Sequence, residues 1–199
     1  MWNERFSGID YLFGTEPADF VAREALRLPK CQRILSVADG EGRNSVFLAG
    51  NGHWVTAMDG SDVGVAKARR LAAERGVLVD THVADIATWD WHATPYDVVL
   101  GVFIQFAGPR LRADIFRGMQ AALKPGGLLL LHGYTPEQLA HNTGGPRAVE
   151  NLYSVDLLVD VFAEMEILKL EVYEAELSEG VGHSGPSALI DLVARKRGD

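Results

Sequence analysis

The chain has 199 residues, and its 27 acidic and 19 basic residues give a formal net charge of −8. Its only cysteine, Cys31, excludes an intramolecular disulfide and a zinc site built on thiolates. An acidic chain without a long basic run binds phosphate backbones poorly, so we expect no nucleic-acid partner. No apolar run approaches the roughly 20 residues that cross a bilayer. We therefore expect a cytoplasmic protein without a membrane partner.

Short apolar runs alternate with longer amphipathic stretches over the first two thirds of the chain. The runs are continuously apolar, which is typical of parallel strands covered by helices on both faces. In chain order we predict a helix from Thr15 and Pro17 to about Leu28, a strand over Arg33–Val37, a helix over Arg43–Ala49, a strand over His53–Met58, a helix from its cap Ser61 to Arg75, strands over Val77–His82 and Asp97–Val102, a helix over about Arg110–Leu123 and a strand over Leu128–His132.

The last quarter of the chain has a different pattern. A helix capped by Ser154 runs to about Glu164, and Glu166–Ala175 and Ser187–Arg195 look like strands. The residues between these strands are too few for a helical crossover, so the strands should pair as an antiparallel hairpin with a loop over Glu176–Pro186. The sequence predicts an α/β fold in one domain, 1–199: a doubly wound, seven-stranded, mostly parallel sheet ending in that hairpin.

A glycine-rich turn, Ala38-Asp39-Gly40-Glu41-Gly42-Arg43-Asn44, lies between the first predicted strand and its helix. Glycines there let the backbone approach a ligand, and the helix start offers free N–H groups. The carboxylate of Asp39 can bind a cationic amine. The alternative interpretation is a tight turn that holds no ligand.

Two further acids end the next predicted strands. Asp59 lies 17 residues after Gly42, where a carboxylate can bind the two hydroxyls of a ribose. The alternative is an acid at a helix start, because Asp59 and Asp62 flank the cap Ser61. Asp85 can accept a hydrogen bond from an adenine amine, although alone it is more often a turn residue. The acids together predict an adenosine-containing cofactor, and by spacing NAD and S-adenosylmethionine both fit.

Nearly the whole chain resembles the class I S-adenosylmethionine-dependent methyltransferases. The glycine turn resembles their first motif, V-T-A-M-D-G-S their ribose-binding strand end, V-A-D-I their adenine-binding turn and A-L-K-P-G-G-L-L-L-L the entry to their fifth strand. The final hairpin is also theirs, and dehydrogenases lack it. More narrowly, W-N-E-R-F, Y-L-F-G-T-E-P-A-D-F-V, Y-T-P-E-Q-L, T-G-G-P and S-E-G-V-G-H-S-G resemble the tellurite-resistance and thiopurine-type branch, which acts on small molecules.

This resemblance implies a Rossmann-like methyltransferase fold with three parts: a lid segment and helix over 1–28, a cofactor-binding half over 29–134, and a C-terminal helix and hairpin over 135–199. It implies S-adenosylmethionine as cofactor and no metal. The expected cofactor-binding residues are Tyr11, Asp39, Gly40, Gly42, Asn44, Asp59, Gly60, Ser61, Asp85, Ile86 and Val102.

The chain departs from the common first motif of that family at three positions. Ser36 stands at the acid position, Ala38 at the first glycine, and Gly60 where a larger apolar residue usually covers adenine. Asp39 can supply the missing carboxylate from within the turn. We expect these departures to bear on cofactor affinity more than on cofactor identity.

The implied reaction is a direct, in-line methyl transfer to a small acceptor such as a thiol or a chalcogen oxyanion, and it needs no catalytic triad. The residues expected near the acceptor are Gln105, Tyr134 and His183. His132 is either an interior, hydrogen-bonded histidine or a base. Glu179 and His183, expected in the hairpin loop, have loop stabilisation as their alternative role.

In the N-terminal segment, Tyr11 either lies over the sulfonium or packs within the lid. Arg5 either binds an anionic substrate or pairs with Glu16. Two other functions compete: a non-catalytic S-adenosylmethionine sensor, and a nicotinamide-dependent oxidoreductase, for which the chain leaves little room for a substrate domain. The sequence makes no prediction of oligomeric state.

Overall fold

The structure is a computed structural model that describes residues 2–198. Its contacts divide the chain into two compact units. The first unit runs to Trp89 and includes Glu179–Gly182, and the second comprises Asp90–Ser178 and the chain from His183 onward.

The first unit carries three parallel strands and the helices that connect them. In the registers of these strands, Ile34 lies opposite Val55, and Met58 lies opposite His82. The elements are α1 (Trp2–Phe6), α2 (Asp19–Ala25), β1 (Arg33–Val37), α3 (Arg43–Gly50), β2 (Trp54–Asp59), α4 (Asp62–Glu74) and β3 (Asp80–Val83).

The second unit carries the remaining strands, two further helices and two short 3-10 helices. Leu100 of the fourth strand lies opposite Leu130 of the fifth in a parallel pair, and Leu130 lies opposite Val193 of the seventh in an antiparallel pair. The elements are β4 (Tyr96–Val102), α5 (Pro109–Ala122), β5 (Leu123–Tyr134), the 3-10 helices Pro136–Ala140 and Val149–Asn151, α6 (Val155–Val161), β6 (Met165–Glu179), whose last residue belongs to the first unit, and β7 (His183–Lys196).

The seven strands form one sheet in the order β3-β2-β1-β4-β5-β7-β6. Five strands run parallel, and β7 and β6 add the antiparallel end, which confirms the predicted fold class. Strands β1 and β4 are buried along nearly their whole length, the burial expected of parallel strands inside an α/β sheet. No helix within residues 2–198 is long and apolar enough to span a bilayer.

The predicted hairpin loop over Glu176–Pro186 was wrong. Strand β6 continues to Glu179 and β7 begins at His183, so the connection is only the three residues Gly180–Gly182. Gly180 adopts a positive φ of 70°, a conformation that suits a glycine in so tight a turn. Glu176 and Glu179, which fall in the predicted loop, instead lie along an edge strand, which tolerates charge. Glu179 and His183 therefore end and begin strands rather than lying within a loop.

The predicted third strand, Val77–His82, begins three residues too early. Strand β3 starts at Asp80, because the preceding residues still terminate helix α4. Gly76 takes a positive φ of 66°, and the amide of Val77 donates a hydrogen bond back to the Ala72 carbonyl. The apolar side chain of Val79 packs on a helix cluster instead of extending the sheet.

Two predicted helices are shorter in the structure. The helix expected over 15–28 is confined to Asp19–Ala25, and the backbone of Ala18 just before it is extended, with ψ of 140°. The helix capped by Ser154 ends at Val161 rather than near Glu164. Conversely, strand β5 begins at Leu123, five residues before the predicted start at Leu128. Helix α1 was not predicted, since five residues are too few to show a helical period.

Candidate functional site

The turn after β1 is shaped by three left-handed residues. Ala38, Gly40 and Gly42 have φ values of 49°, 62° and 91°. A Cβ on Gly42 would lie 2.6 Å from the Cβ of Ala68, so this glycine is required for helix α3 to approach α4. Above Gly40, the ring of Phe6 lies 3.4 Å from where a Cβ would stand, so helix α1 covers the turn.

Asp39 lies at the tip of this turn with its carboxylate directed inward. The Ser36 hydroxyl donates to Oδ1 at 2.6 Å, and the Ser45 hydroxyl donates to Oδ2. The pKa of Asp39 is raised to about 6. Burial is the main cause and the nearby charge of Asp59 adds to it, whereas the two serine hydrogen bonds act to lower the pKa. The turn thus holds a carboxylate among neutral partners.

Asp59, at the end of β2, ties the glycine turn to the start of helix α4. The amide of Gly40 donates to Oδ2 at 2.8 Å, and the amide of Ser61 donates to Oδ1 at 2.8 Å. Burial raises the pKa of this carboxyl, and both hydrogen bonds act to lower it. Each oxygen retains a lone pair for a further donor. Ser61 caps α4 by accepting the Gly64 amide, and its hydroxyl donates to Asn3.

The other cofactor-binding candidates have varied surroundings. Gly60 is exposed, with only the Ala84 carbonyl near a hypothetical Cβ. Asp85 is exposed and accepts the Ala87 amide at 2.9 Å, the turn role that was its alternative. Buried Asn44 accepts the Ala18 amide and fixes the start of α2. Ile86, after β3, and Val102, which ends β4 in the second unit, are half-buried.

Tyr11 packs on helix α4. Its hydroxyl donates to the Lys67 carbonyl, and its ring centre lies 5.2 Å from the Arg70 guanidinium carbon. These contacts match lid packing, the alternative considered for this residue. For Arg5, the alternative of a pair with Glu16 is wrong, because Glu16 pairs with Arg75 at 2.6 Å and Arg5 lies over the Trp2 ring.

Two buried ion pairs hold the segment before α2, and sequence reasoning missed both. Lys67 pairs with Glu41 at 2.7 Å, and Glu41 also accepts the Leu12 amide. Arg43 pairs with Glu179 at 2.8 Å. The sequence did carry a signal, because Glu41 and Arg43 place opposite charges inside the glycine turn. A loop that only binds a ligand would need neither charge.

In the second unit, Gln105 is committed to the backbone. Its amide nitrogen donates to the Tyr134 carbonyl at 2.8 Å, and its oxygen accepts the Tyr134 amide at 2.7 Å. A third contact reaches the Asn151 carbonyl. These bonds fasten the chain after β4 to the end of β5, so Gln105 positions the strand ends.

Four rings meet at the carboxyl ends of β4 and β5, and we call them the aromatic cluster: Phe103, His132, Tyr134 and His183. Phe103 lies at their centre, with ring centroids 4.1 Å from His183, 4.6 Å from Tyr134 and 4.7 Å from His132. Phe103 also takes a left-handed φ of 53°, a strained conformation for a side chain of this size. Tyr134 and His183, two of the predicted acceptor residues, are thus brought together.

A buried carboxylate lies next to this cluster. Asp191 of β7 accepts a hydrogen bond from His132 Nδ1 at 2.7 Å. Burial acts to raise its pKa, but the hydrogen bonds and charges of His132 and Lys169 outweigh burial and hold that pKa below its usual value. Sequence reasoning missed Asp191. The signal was a single acid within the apolar run A-L-I-D-L-V-A.

The chain is similar to known methyltransferases in sequence and in fold. Residues 34–127 match the family model described as "Methyltransferase domain", whereas no curated protein matches the chain. TehB from Haemophilus influenzae superposes with a TM-score of 0.71 at 19% identity, covering 89% of this chain and 61% of TehB. The chain thus spans less than two thirds of TehB.

Two further solved structures cover more of their own length. One is a solved structure described as "Conversion of a Disulfide Bond into a Thioacetal Group during Echinomycin Biosynthesis". It superposes with a TM-score of 0.78 at 19% identity, over 98% of this chain and 88% of that one. A SAM-dependent methyltransferase from Methanosarcina mazei gives 0.73 at 18% identity, over 92% and 100%. At these identities the likeness establishes the fold.

Proposed function

We propose that the chain is a class I S-adenosylmethionine-dependent methyltransferase that transfers a methyl group to a small molecule such as a thiol or a chalcogen oxyanion. The observation that carries the proposal is a pair of aspartates, Asp39 in the glycine turn and Asp59 at the end of β2. Within residues 2–198, no lysine, arginine or histidine pairs with Asp39 or Asp59. Two carboxylates without a cation, Asp39 half-buried and Asp59 buried, fit a ligand that brings its own positive charge and hydroxyl groups.

The residues of the first unit fit the cofactor group by group. Asp39, held by Ser36 and Ser45, suits the amino group of the methionine part, because a nearby ammonium stabilises the ionised carboxylate. Asp59 suits the ribose hydroxyls with its remaining lone pairs. We assign the adenine side to Asp85 and to Ile86. When bound, the cofactor supplies an electrophilic methyl group on a sulfonium.

On the acceptor side, the aromatic cluster supports a small, partly apolar acceptor. Its rings exclude water from their neighbourhood, and exclusion of water favours a displacement that water would otherwise intercept. Gln105 contributes by fastening the end of β5, so that Tyr134 and His183 keep their positions. The net charge of −8 supports a small acceptor over nucleic acid.

The decisive experiment is calorimetric titration with S-adenosylmethionine, S-adenosylhomocysteine and NAD. We expect the first two to bind and NAD not to bind. The variant Asp59→Ala should weaken S-adenosylmethionine binding by about 1–3 kcal/mol, the size of a hydrogen bond made by a charged group. Asp90→Ala is the matched control, because Asp90 is exposed and accepts a backbone amide in the same way.

Three outcomes would count against the proposal in different ways. Unchanged affinity in folded Asp59→Ala would remove Asp59 from the ribose site. Binding of NAD alone would favour the oxidoreductase. Tight binding of S-adenosylmethionine without turnover over a panel of thiols, selenite, phenols and amines would favour the sensor.

A further inference from the structure

Helix α1 lies on the glycine turn through an aromatic side chain. The ring of Phe6, which ends α1, is 3.4 Å from where a Cβ on Gly40 would stand and 3.1 Å from where one on Gly64 would stand. This ring stacks on Trp2 with centroids 5.4 Å apart and meets Phe13 edge-on at 6.3 Å. We call the three rings the aromatic roof. Because Phe6 is buried against both glycines, the roof is fixed to the turn.

The side chain of Arg5 lies against this roof. Its guanidinium carbon is 4.5 Å from the centre of the Trp2 ring and 5.9 Å from the centre of the Phe13 ring. Within residues 2–198, exposed Arg5 has no acidic partner, and its side chain donates no hydrogen bond. A guanidinium that stacks on a ring keeps the N–H groups along its edge available to an anion. The roof therefore holds a cation whose donors are unused.

The other cationic side chains on the helices around the turn are already engaged. Each cation of α3 and α4 has a partner in the first unit: Arg43 with Glu179, Lys67 with Glu41, Arg69 with Thr81 and Arg70 with Glu74. Asp62, an acid that contacts α1, accepts a hydrogen bond from Asn3 rather than from Arg5. Among the cations of the described helices α1, α3 and α4, Arg5 is thus the one left to bind an incoming anion.

The proposed cofactor brings a carboxylate to a turn that is already acidic. In its methionine part, the amino group and the carboxylate are attached to the same carbon. An amino group bound at Asp39 therefore places the carboxylate close to Asp39 and Asp59, and like charges at short distance repel each other. A cation offsets this repulsion, and a guanidinium can bind a carboxylate through two parallel hydrogen bonds.

We propose that Arg5 binds the carboxylate of the cofactor's methionine part. This inference rests on the proposed function. Asp39 and Arg5 then hold the two ends of a zwitterion with opposite charges, one from the turn and one from the roof above it. Trp2 and Phe13 are positioning residues, because their rings hold the guanidinium beside the turn. The arrangement selects a nucleoside that carries an amino acid over one that carries only an amine.

The test compares S-adenosylhomocysteine with its decarboxylated analogue, which keeps the amino group and lacks the carboxylate. Both affinities are measured by calorimetry, in competition where binding is weak. We expect Arg5→Gln to weaken S-adenosylhomocysteine binding about 10-fold or more, the size of a hydrogen bond made by a charged group. Binding of the analogue should change little, because the group that Arg5 contacts is missing from it. The analogue also reports whether the variant keeps an intact site.

Two further variants separate the charge from the position of Arg5. Arg5→Lys keeps the positive charge but loses the paired donors, so it should weaken S-adenosylhomocysteine binding less than Arg5→Gln does. Arg27→Gln is the matched control, because Arg27 is an exposed arginine of the same unit on the segment that leads to the start of β1. The glycine turn follows the other end of that strand, so this control should leave both affinities unchanged.

Three results would overturn the assignment of Arg5. Equal losses with both ligands in Arg5→Gln would show that Arg5 only supports the fold of the site. No loss with either ligand would remove Arg5 from cofactor binding. A raised KM for an anionic acceptor, with S-adenosylhomocysteine binding unchanged, would assign Arg5 to the acceptor instead. A wild-type protein that binds neither S-adenosylmethionine nor S-adenosylhomocysteine would overturn the proposed function itself, and the role of Arg5 with it.

Discussion

Asp39 in the first unit and Asp191 in the second are both withdrawn from water, but their acidities are shifted in opposite directions. Asp39 is surrounded by the neutral hydroxyls of Ser36 and Ser45, and burial raises its pKa to about 6. Asp191 faces the same penalty of burial, but the hydrogen bonds and charges of His132 and Lys169 outweigh it and leave its pKa lowered. The difference is the presence of cationic partners from the protein.

This contrast indicates what each carboxylate can do. A carboxylate already paired by its own protein can orient a neighbour but has little to gain from a ligand. A carboxylate that lacks a cation gains most when a ligand supplies one. Asp39 is therefore suited to binding a cationic group, and Asp191 to holding an imidazole.

The largest expected effect comes from removing the paired carboxylate. Asp191→Asn leaves Lys169 and the His132 donor without a buried counter-charge, and breaking such a pair typically costs about 3–5 kcal/mol. We expect the free energy of unfolding, measured in urea at pH 7, to fall by this amount. Asp156→Asn is the control, because Asp156 is an exposed acid on α6.

The pH dependence of this loss tests its electrostatic origin. A lowered carboxyl pKa stabilises the folded state above the ordinary value near 3.8, and that stabilisation disappears as the pH falls through the lowered pKa. The difference between wild type and Asp191→Asn should therefore be full at pH 7 and shrink below about pH 4. A difference that is the same at all pH values would show that packing alone explains the loss.

Asp39→Asn should change the free energy of unfolding in the opposite direction, by raising it at pH 7. A raised pKa means that the folded state pays to ionise Asp39, a penalty that grows between pH 3.8 and about 6 and is constant above. Removing the charge should raise the free energy of unfolding at pH 7 by up to about 3 kcal/mol, since the pKa moves from 3.8 to about 6 and each unit corresponds to about 1.4 kcal/mol. The same variant should bind S-adenosylmethionine more weakly. Lower stability at pH 7 would contradict the assignment of Asp39 as an unpaired carboxylate.

The fold was predictable because its signals are local. Strand β1 matches its predicted bounds over Arg33–Val37, and Ser61 and Ser154 cap their helices as predicted. The errors fall where long-range contacts override a local pattern. The predicted strand over Glu166–Ala175 ends four residues too early, since the sequence does not show which strand lies at the edge of the sheet, where glutamates are tolerated.

The motifs of the candidate site could be predicted from the sequence, but the hydrogen-bond and ion-pair partners of its side chains could not. The carboxylates of Asp39 and Asp59 follow from their places after strands. The partners of Asp191 come from two other strands, β5 and β6, and no local spacing relates His132 to Lys169. Gln105 was predicted near the acceptor, but its commitment to the backbone of Tyr134 depends on how strand ends meet.

The smallest effect concerns the backbone beneath Asp39. Ala38 keeps a left-handed φ of 49° where related motifs have glycine, so the departure in sequence leaves the turn strained. A non-glycine residue in this region costs about 1–2 kcal/mol, and the greater freedom of glycine in the unfolded chain cancels part of the gain. Ala38→Gly should therefore raise the free energy of unfolding by roughly 0.5–1 kcal/mol.

A matched control separates strain from function in this last case. Cys31→Gly relieves a similar φ of 58° at an exposed position before β1, so it should stabilise the protein by a similar amount. Only Ala38→Gly should also change cofactor affinity, because only Ala38 directs the chain into the Asp39 turn. If both variants leave cofactor affinity unchanged, the strain at Ala38 has no effect on binding. The opposite pKa shifts of Asp39 and Asp191 are then explained by their hydrogen-bond and charge partners alone.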